Sequence, residues 1–119
     1  MITLQQLEHF FSETRSAHEA GRASWSIDGK CRWSYFFVDP EVERLMPVKD
    51  HLEALGYEVE GTLAPEEGDA NPIHYLRVDR IEAHTPESLH ERNLELYAIA
   101  EQFAVLGCDG MDVGSADGP

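Results

Sequence analysis

Two cysteines, Cys31 and Cys108, and six histidines, His9, His18, His51, His74, His84 and His90, carry the most reactive side chains of this 119-residue chain. A thiol nucleophile needs a base beside it, and a zinc site needs Cys or His ligands at close, repeated spacing. Cys31 and Cys108 stand far apart, with neither a CxxC pair nor a histidine at ligand spacing. They are expected to be reduced thiols, with Cys108 buried or half-buried and inert. His84 and His90 flank Glu87, but their separation is poor for two ligands on one helix face, so both are expected at the surface. HExxH, GxGxxG, Walker and GxSxG patterns are absent from the sequence. No catalytic residue, metal or cofactor is therefore expected. An enzyme would require a pocket that brings Cys108 to a histidine.

The remaining candidates are binding residues. Acidic side chains number 23 against 9 basic ones, a formal net charge of −14. That balance argues against duplex binding, which needs clustered Lys and Arg, and against an anionic membrane. With 42% apolar residues the chain can still fold. The charge is uneven: net 0 over residues 1–38, −8 over 39–69 and −6 over 70–119. Glu58 and Glu60 are expected on one strand face, which is either a solvated face or an acidic patch for a basic partner. Asp109-Gly110 reads as a turn or bulge in which glycine supplies a positive φ, and with Met111 it is a candidate partner contact. Trp33, Tyr35 and Phe37 could stack bases, but the charge assigns them to the core.

These residues need elements to hold them. Thr3 is suited to cap a helix to about Ala20, with Leu4, Leu7, Phe10 and Phe11 near one face and Gly21 as the stop. Asp28-Gly29 predicts a hairpin joining a short strand at 24–27 to a longer one at 31–38. The longer strand is apolar on both faces, which suits a central position. Asp39-Pro40 should cap the second helix, which Pro47 should kink or divide and Gly56 should end. Residues 57–63 alternate, with Tyr57, Val59 and Gly61 opposite Glu58, Glu60 and Thr62. Ala64 to Pro72 is a turn-rich connection, and 73–82 is the next strand. Thr85-Pro86 starts the third helix, with Gly107 as its stop and a last strand over 108–113.

From the longer strand onward the order is βαββαβ, which predicts an α+β ferredoxin-like sandwich with an additional N-terminal helix and a short extra hairpin strand. One domain is expected over 1–113, with a frayed C-terminus over 114–119. The N-terminus lacks the pattern of a signal peptide, and no apolar run is long enough to cross a membrane, so a cytoplasmic protein is expected.

Three segments together carry a family resemblance: Leu55-Gly56-Tyr57-Glu58-Val59, Ala98-Ile99-Ala100-Glu101-Gln102-Phe103, and Cys108-Asp109-Gly110-Met111. With Glu13-Thr14-Arg15 in the first helix, this arrangement resembles the regulator of ribonuclease E activity B family, the ribonuclease E inhibitor proteins. The chain differs in having Cys108 where tyrosine is usual and Met111 where tryptophan is usual. It also has Pro47 in a helix the family leaves unbroken, and it lacks the long acidic C-terminal extension of the best-known members. The resemblance implies a bacterial, non-catalytic regulator of RNA degradation. Its partner would be ribonuclease E or a related basic RNA-processing protein, with no direct nucleic-acid contact, and it would act as a monomer or homodimer. Partner-binding residues are then expected at Glu58, Glu60, Asp109 and Met111. A small-molecule or peptide-binding ferredoxin-like domain is the alternative.

Overall fold

The structure, a computed structural model, describes residues 2–21 and 24–116. Its elements are α1 (Leu4–Gly21), β1 (Cys31–Asp39), α2 (Val42–Ala54), β2 (Glu58–Leu63), β3 (His74–Glu82), α3 (Pro86–Gln102) and β4 (Gly107–Ser115). Three helices and one four-stranded antiparallel sheet make an α+β fold, with the strands in the order β2-β3-β1-β4. No helix among the described residues is long and apolar enough to cross a membrane. The chain divides into two compact units: Met1–Trp33, Ile81–Glu95 and Val113–Pro119 form one, and Ser34–Arg80 with Leu96–Asp112 the other.

In the first unit, α1 opens with a capping box. The Thr3 N–H donates to Gln6 Oε1 at 2.8 Å, and the Gln6 N–H donates back to Thr3 Oγ1 at 3.1 Å. Leu7 and Phe11, one turn apart, are fully buried, and Phe11 stacks on Trp33 at 5.9 Å. The strand expected at 24–27 is not formed. Instead Ser26 to Gly29 is a turn, closed by the Gly29 N–H donating to the Ser26 carbonyl at 3.0 Å. Ser first and Gly fourth suit a β-turn, so Asp28-Gly29 sits one place later than a two-residue hairpin needs. Arg15 then takes Asp28 in a bidentate pair, both contacts 2.7 Å, tying this turn to α1.

In the second unit, Tyr35 and Phe37 of β1 are fully buried with Leu45, Val48, Leu52, Leu76, Val78 and Leu96. Burial on both faces of β1 agrees with its inner place in the sheet. The second helix starts at Val42, not after an Asp39 cap. Asp39 is buried and divides its carboxylate: Oδ2 accepts the Glu41 N–H at 2.9 Å and Oδ1 the Leu106 N–H at 3.0 Å. Pro47 does not divide α2. Pro47 and Glu43 are both exposed, so the Glu43 carbonyl it leaves without an amide donor is open to hydration. Leu45, Val48 and Leu52 anchor the helix on either side of it.

The C-terminal ends of α2 and α3 use the same backbone device. After α2, Gly56 (φ 97°) and Tyr57 donate to the Glu53 and Leu52 carbonyls, a Schellman motif. After α3, Ala104 (φ 56°) and Val105 donate to Glu101 and Ala100 in the same pattern. The third helix therefore stops before Gly107, on an alanine in the left-handed region. β4 extends through Gly114 and Ser115, which were expected to fray; Asp117–Pro119 lie outside the described residues. An L-residue pays about 1–2 kcal/mol in the left-handed region, and glycine does not. Ala104→Gly is expected to raise unfolding free energy by about 1 kcal/mol. Gly56→Ala, whose added methyl meets nothing within 4 Å, is expected to lower it by about as much. Urea titration of the two variants measures both.

Candidate functional site

The chain turns at Gly56 directly into the strand that carries Glu58 and Glu60, so the cap fixes where those carboxylates begin. Tyr57, the first residue past the turn, is buried and packs edge-on against Tyr35 at 6.4 Å. The Arg80 guanidinium covers the Tyr57 ring at 4.8 Å, and its Nη1 donates to the Leu55 carbonyl at 3.2 Å. Glu58 then pairs across the ladder with Asp79, and Val59 with Val78. Asp79 is fully buried and accepts two 3.0 Å bonds from Arg77.

The next step is irregular. The register runs from Val59↔Val78 to Gly61↔Arg77, so Glu60 is an inserted residue, a β-bulge, with Gly61 at φ 137°. The expected alternation of β2 therefore breaks. Cross-strand partners share a sheet face. Past the bulge, Thr62 lies with Leu76 on the face of Val59, while Gly61 and Leu63 lie on the face of Glu58. The acidic face thus gains an apolar neighbour, Leu63, which is 59% exposed. A glycine inside a strand pattern was the one sequence signal of this bulge.

The connection after β2 is ordered by its own turns. The Asp69 N–H donates to the Glu66 carbonyl at 3.1 Å, and the Asn71 N–H to Asp69 Oδ1 at 3.0 Å. Leu63, Pro65, Ile73 and Tyr75 line an open hollow of about 450 Å3 with Glu66 and Asp69. A smaller hollow of about 200 Å3 lies among Glu60, Gly61, Thr62, Leu63 and Arg77.

Asp109 and Met111 lie elsewhere. They are on β4, at the opposite edge of the sheet from β2, with β3 and β1 between. Three strand spacings, about 14 Å, separate the two edges, so the four candidate residues do not form one patch. Gly110 has φ 85°, the positive value expected of the Asp-Gly pair. Asp109 is exposed and Met111 half-buried. Burial and the neighbouring Asp109 charge push the Cys108 thiol up to about 12. Trp33, Tyr35 and Phe37 are core residues with no exposed surface.

One cluster was not read from the sequence. His84, expected at the surface, is buried, and its ring meets Trp33 edge-on at 5.5 Å. Its Nε2 lies 2.7 Å from Glu82, and its Nδ1 2.9 Å from Ser88 Oγ. Arg92 reaches the same carboxylate at 3.1 and 2.8 Å. The physical reason for the misreading is that His84 precedes the helix and turns inward onto Glu82, at a spacing no ligand motif marks. Burial alone would raise the Glu82 pKa, but hydrogen bonds from His84 and Arg92, with their charges, outweigh it and hold the carboxyl at about 2 against 4.5. Among the described residues no group of three or more His, Cys, Asp or Glu is placed to hold a metal ion.

Two outcomes follow. A carboxyl whose folded pKa is depressed stabilises the fold above its unfolded pKa and loses that contribution as protons bind. The stability gap between the native protein and Glu82→Gln is expected to be full at pH 6, to narrow below 4.5 and to close by about 2, followed by urea titrations across that range. With its thiol at about 12, Cys108 is expected to resist iodoacetamide at pH 7.5 in the folded protein and to react once unfolded, read by mass spectrometry.

No curated protein matches the chain. The family model for regulator of ribonuclease activity B matches residues 15–113, which takes in all four strands but for the end of β4, and every candidate residue. That span includes the capped turn at Gly56, the bulged acidic strand and the Asp109-Gly110 step, and it extends over most of the sequence; the chain belongs to the regulator of ribonuclease activity B family.

Proposed function

We propose that this chain is a non-catalytic, cytoplasmic regulator that binds a basic protein of RNA turnover, ribonuclease E or a relative, and does not itself bind RNA. The reading is supported by the family, whose described role is the regulation of ribonuclease activity. The observation that carries it is the distribution of acid. Residues 39–69 hold ten acidic and two basic side chains. Glu58 and Glu60 stand exposed on an outermost strand in that stretch. Such a field attracts the cationic, RNA-contacting segments of a nuclease and repels RNA itself. The regulator would then occlude or compete with RNA, with no bond made or broken. Asp109 and Met111 on the opposite edge are a second contact in this proposal, a methionine adapting readily to a protein surface. For the fold we propose the ferredoxin-like sandwich, supported by a strand order in which β3 separates β1 from β2, as a split βαβ unit requires.

A titration of the purified chain against ribonuclease E at about 50 and 300 mM salt tests the reading. The complex is expected at low salt and is expected to weaken at high salt. The double change Glu58→Gln/Glu60→Gln should weaken it about two- to thirtyfold at low salt, given roughly 0.2–1 kcal/mol for each of two exposed ion pairs. Absence of a complex at low salt contradicts the function; a salt-insensitive complex contradicts the electrostatic mechanism.

A further inference from the structure

We propose that the outer edge of β2 is a docking site for an extended, Lys/Arg-bearing segment of a protein partner, which adds to the sheet beside β2 and lays one apolar side chain against Leu63. The inference rests on the reading that this chain binds a basic protein, and it names the place and the conformation of what is bound.

β2 is the last strand on its side of the sheet. An edge strand presents a row of backbone donors and acceptors that another strand can use. Protein edges are usually guarded by lysine, proline or a bulge. Residues 58–63 contain neither lysine nor proline. The guard here is the bulge at Glu60 together with two glutamates. That guard discriminates by charge. A second copy of β2 would bring Glu58 and Glu60 against acid of the same kind, whereas a strand bearing Lys or Arg turns the same carboxylates into attraction. The occupant that fits is a basic strand and not another copy of this chain.

The edge also has an apolar seat. Past the bulge, Gly61, Thr62 and Leu63 run in regular register with Arg77, Leu76 and Tyr75. Leu63 is among the most exposed large apolar residues, at 59%. Gly61, two positions before it on the same face, has no side chain, and the smaller hollow lies there. The larger hollow lies on the other side of Leu63, walled by Pro65, Ile73 and Tyr75 and rimmed by Glu66 and Asp69. An apolar side chain of the added strand fills either hollow beside Leu63, and its flanking cations face the rim.

The test uses a labelled nine-residue peptide of alternating lysine and valine with one central leucine, titrated into isotope-labelled protein. The expected result is saturable binding, with amide shifts concentrated in residues 58–63 and 73–75. Leu63→Ser and Glu58→Gln/Glu60→Gln should each weaken it severalfold; both sites are exposed, so the fold is retained. Methylating alternate peptide nitrogens should abolish binding in one register and spare it in the other, because only one edge of the added strand bonds to β2. Failure to bind at low salt, shifts located elsewhere, or indifference to methylation in both registers overturns the edge site. If the peptide fails while ribonuclease E still binds, the site is wrong and the protein-binding reading stands. If the peptide binds and ribonuclease E does not, the edge site stands and that reading is wrong.

Discussion

The burial of Trp33, Tyr35 and Phe37 along β1 constrains everything else in the molecule. Each aromatic removes roughly 150–250 Å2 from water, worth about 4–6 kcal/mol at some 25 cal/mol per Å2. Three such residues match the net stability of a whole domain, commonly about 5–15 kcal/mol. A strand with that content has to lie inside, and it does, between β3 and β4. The edges are then left to the strands that can bear water. β2, with Glu58 and Glu60, and β4, with Asp109 and Asp112, are the acidic strands, and they are the outermost ones. The inner position excludes the aromatics from any role as a base-stacking platform and leaves the acid on the outermost strands.

The charge has its own logic. Nine basic side chains cannot neutralise 23 acidic ones. Several of the nine are committed within the fold: Arg15 to Asp28, Arg77 to buried Asp79, and Arg92 to Glu82 and Glu95. These pairs fasten a turn, a strand and a helix, respectively. The excess acid is therefore a surface property, concentrated from residue 39 onward. An outer strand with acidic guards repels like strands and nucleic acid together, which is consistent with the protein-binding function proposed above.

Much of this was legible in the sequence. The Thr3 cap, the central aromatic strand, Gly56 as a helix stop and the positive φ of Gly110 each follow from strong local chemistry, and the βαββαβ order follows from periodicity. What was not legible depended on contacts between distant residues. Asp39 looked like a helix cap, yet it serves Glu41 and Leu106 from a buried position. Ala104 ends α3 in a conformation alanine disfavours, so composition pointed past it to Gly107. The Asp28-Gly29 hairpin gave way to a turn held by Arg15. The register slip at Glu60 moved Leu63 onto the acidic face, and the four site candidates, grouped by residue type, fell on two opposite edges.

In the proposed function, an acidic outer strand receives a protein partner. Backbone hydrogen exchange of the full chain, free and saturated with ribonuclease E, tests it most directly. Added protection of residues 58–63 and of the connection through 72 is expected in the complex. A saturated complex that leaves those amides exchanging as in the free protein, with protection elsewhere, would contradict it.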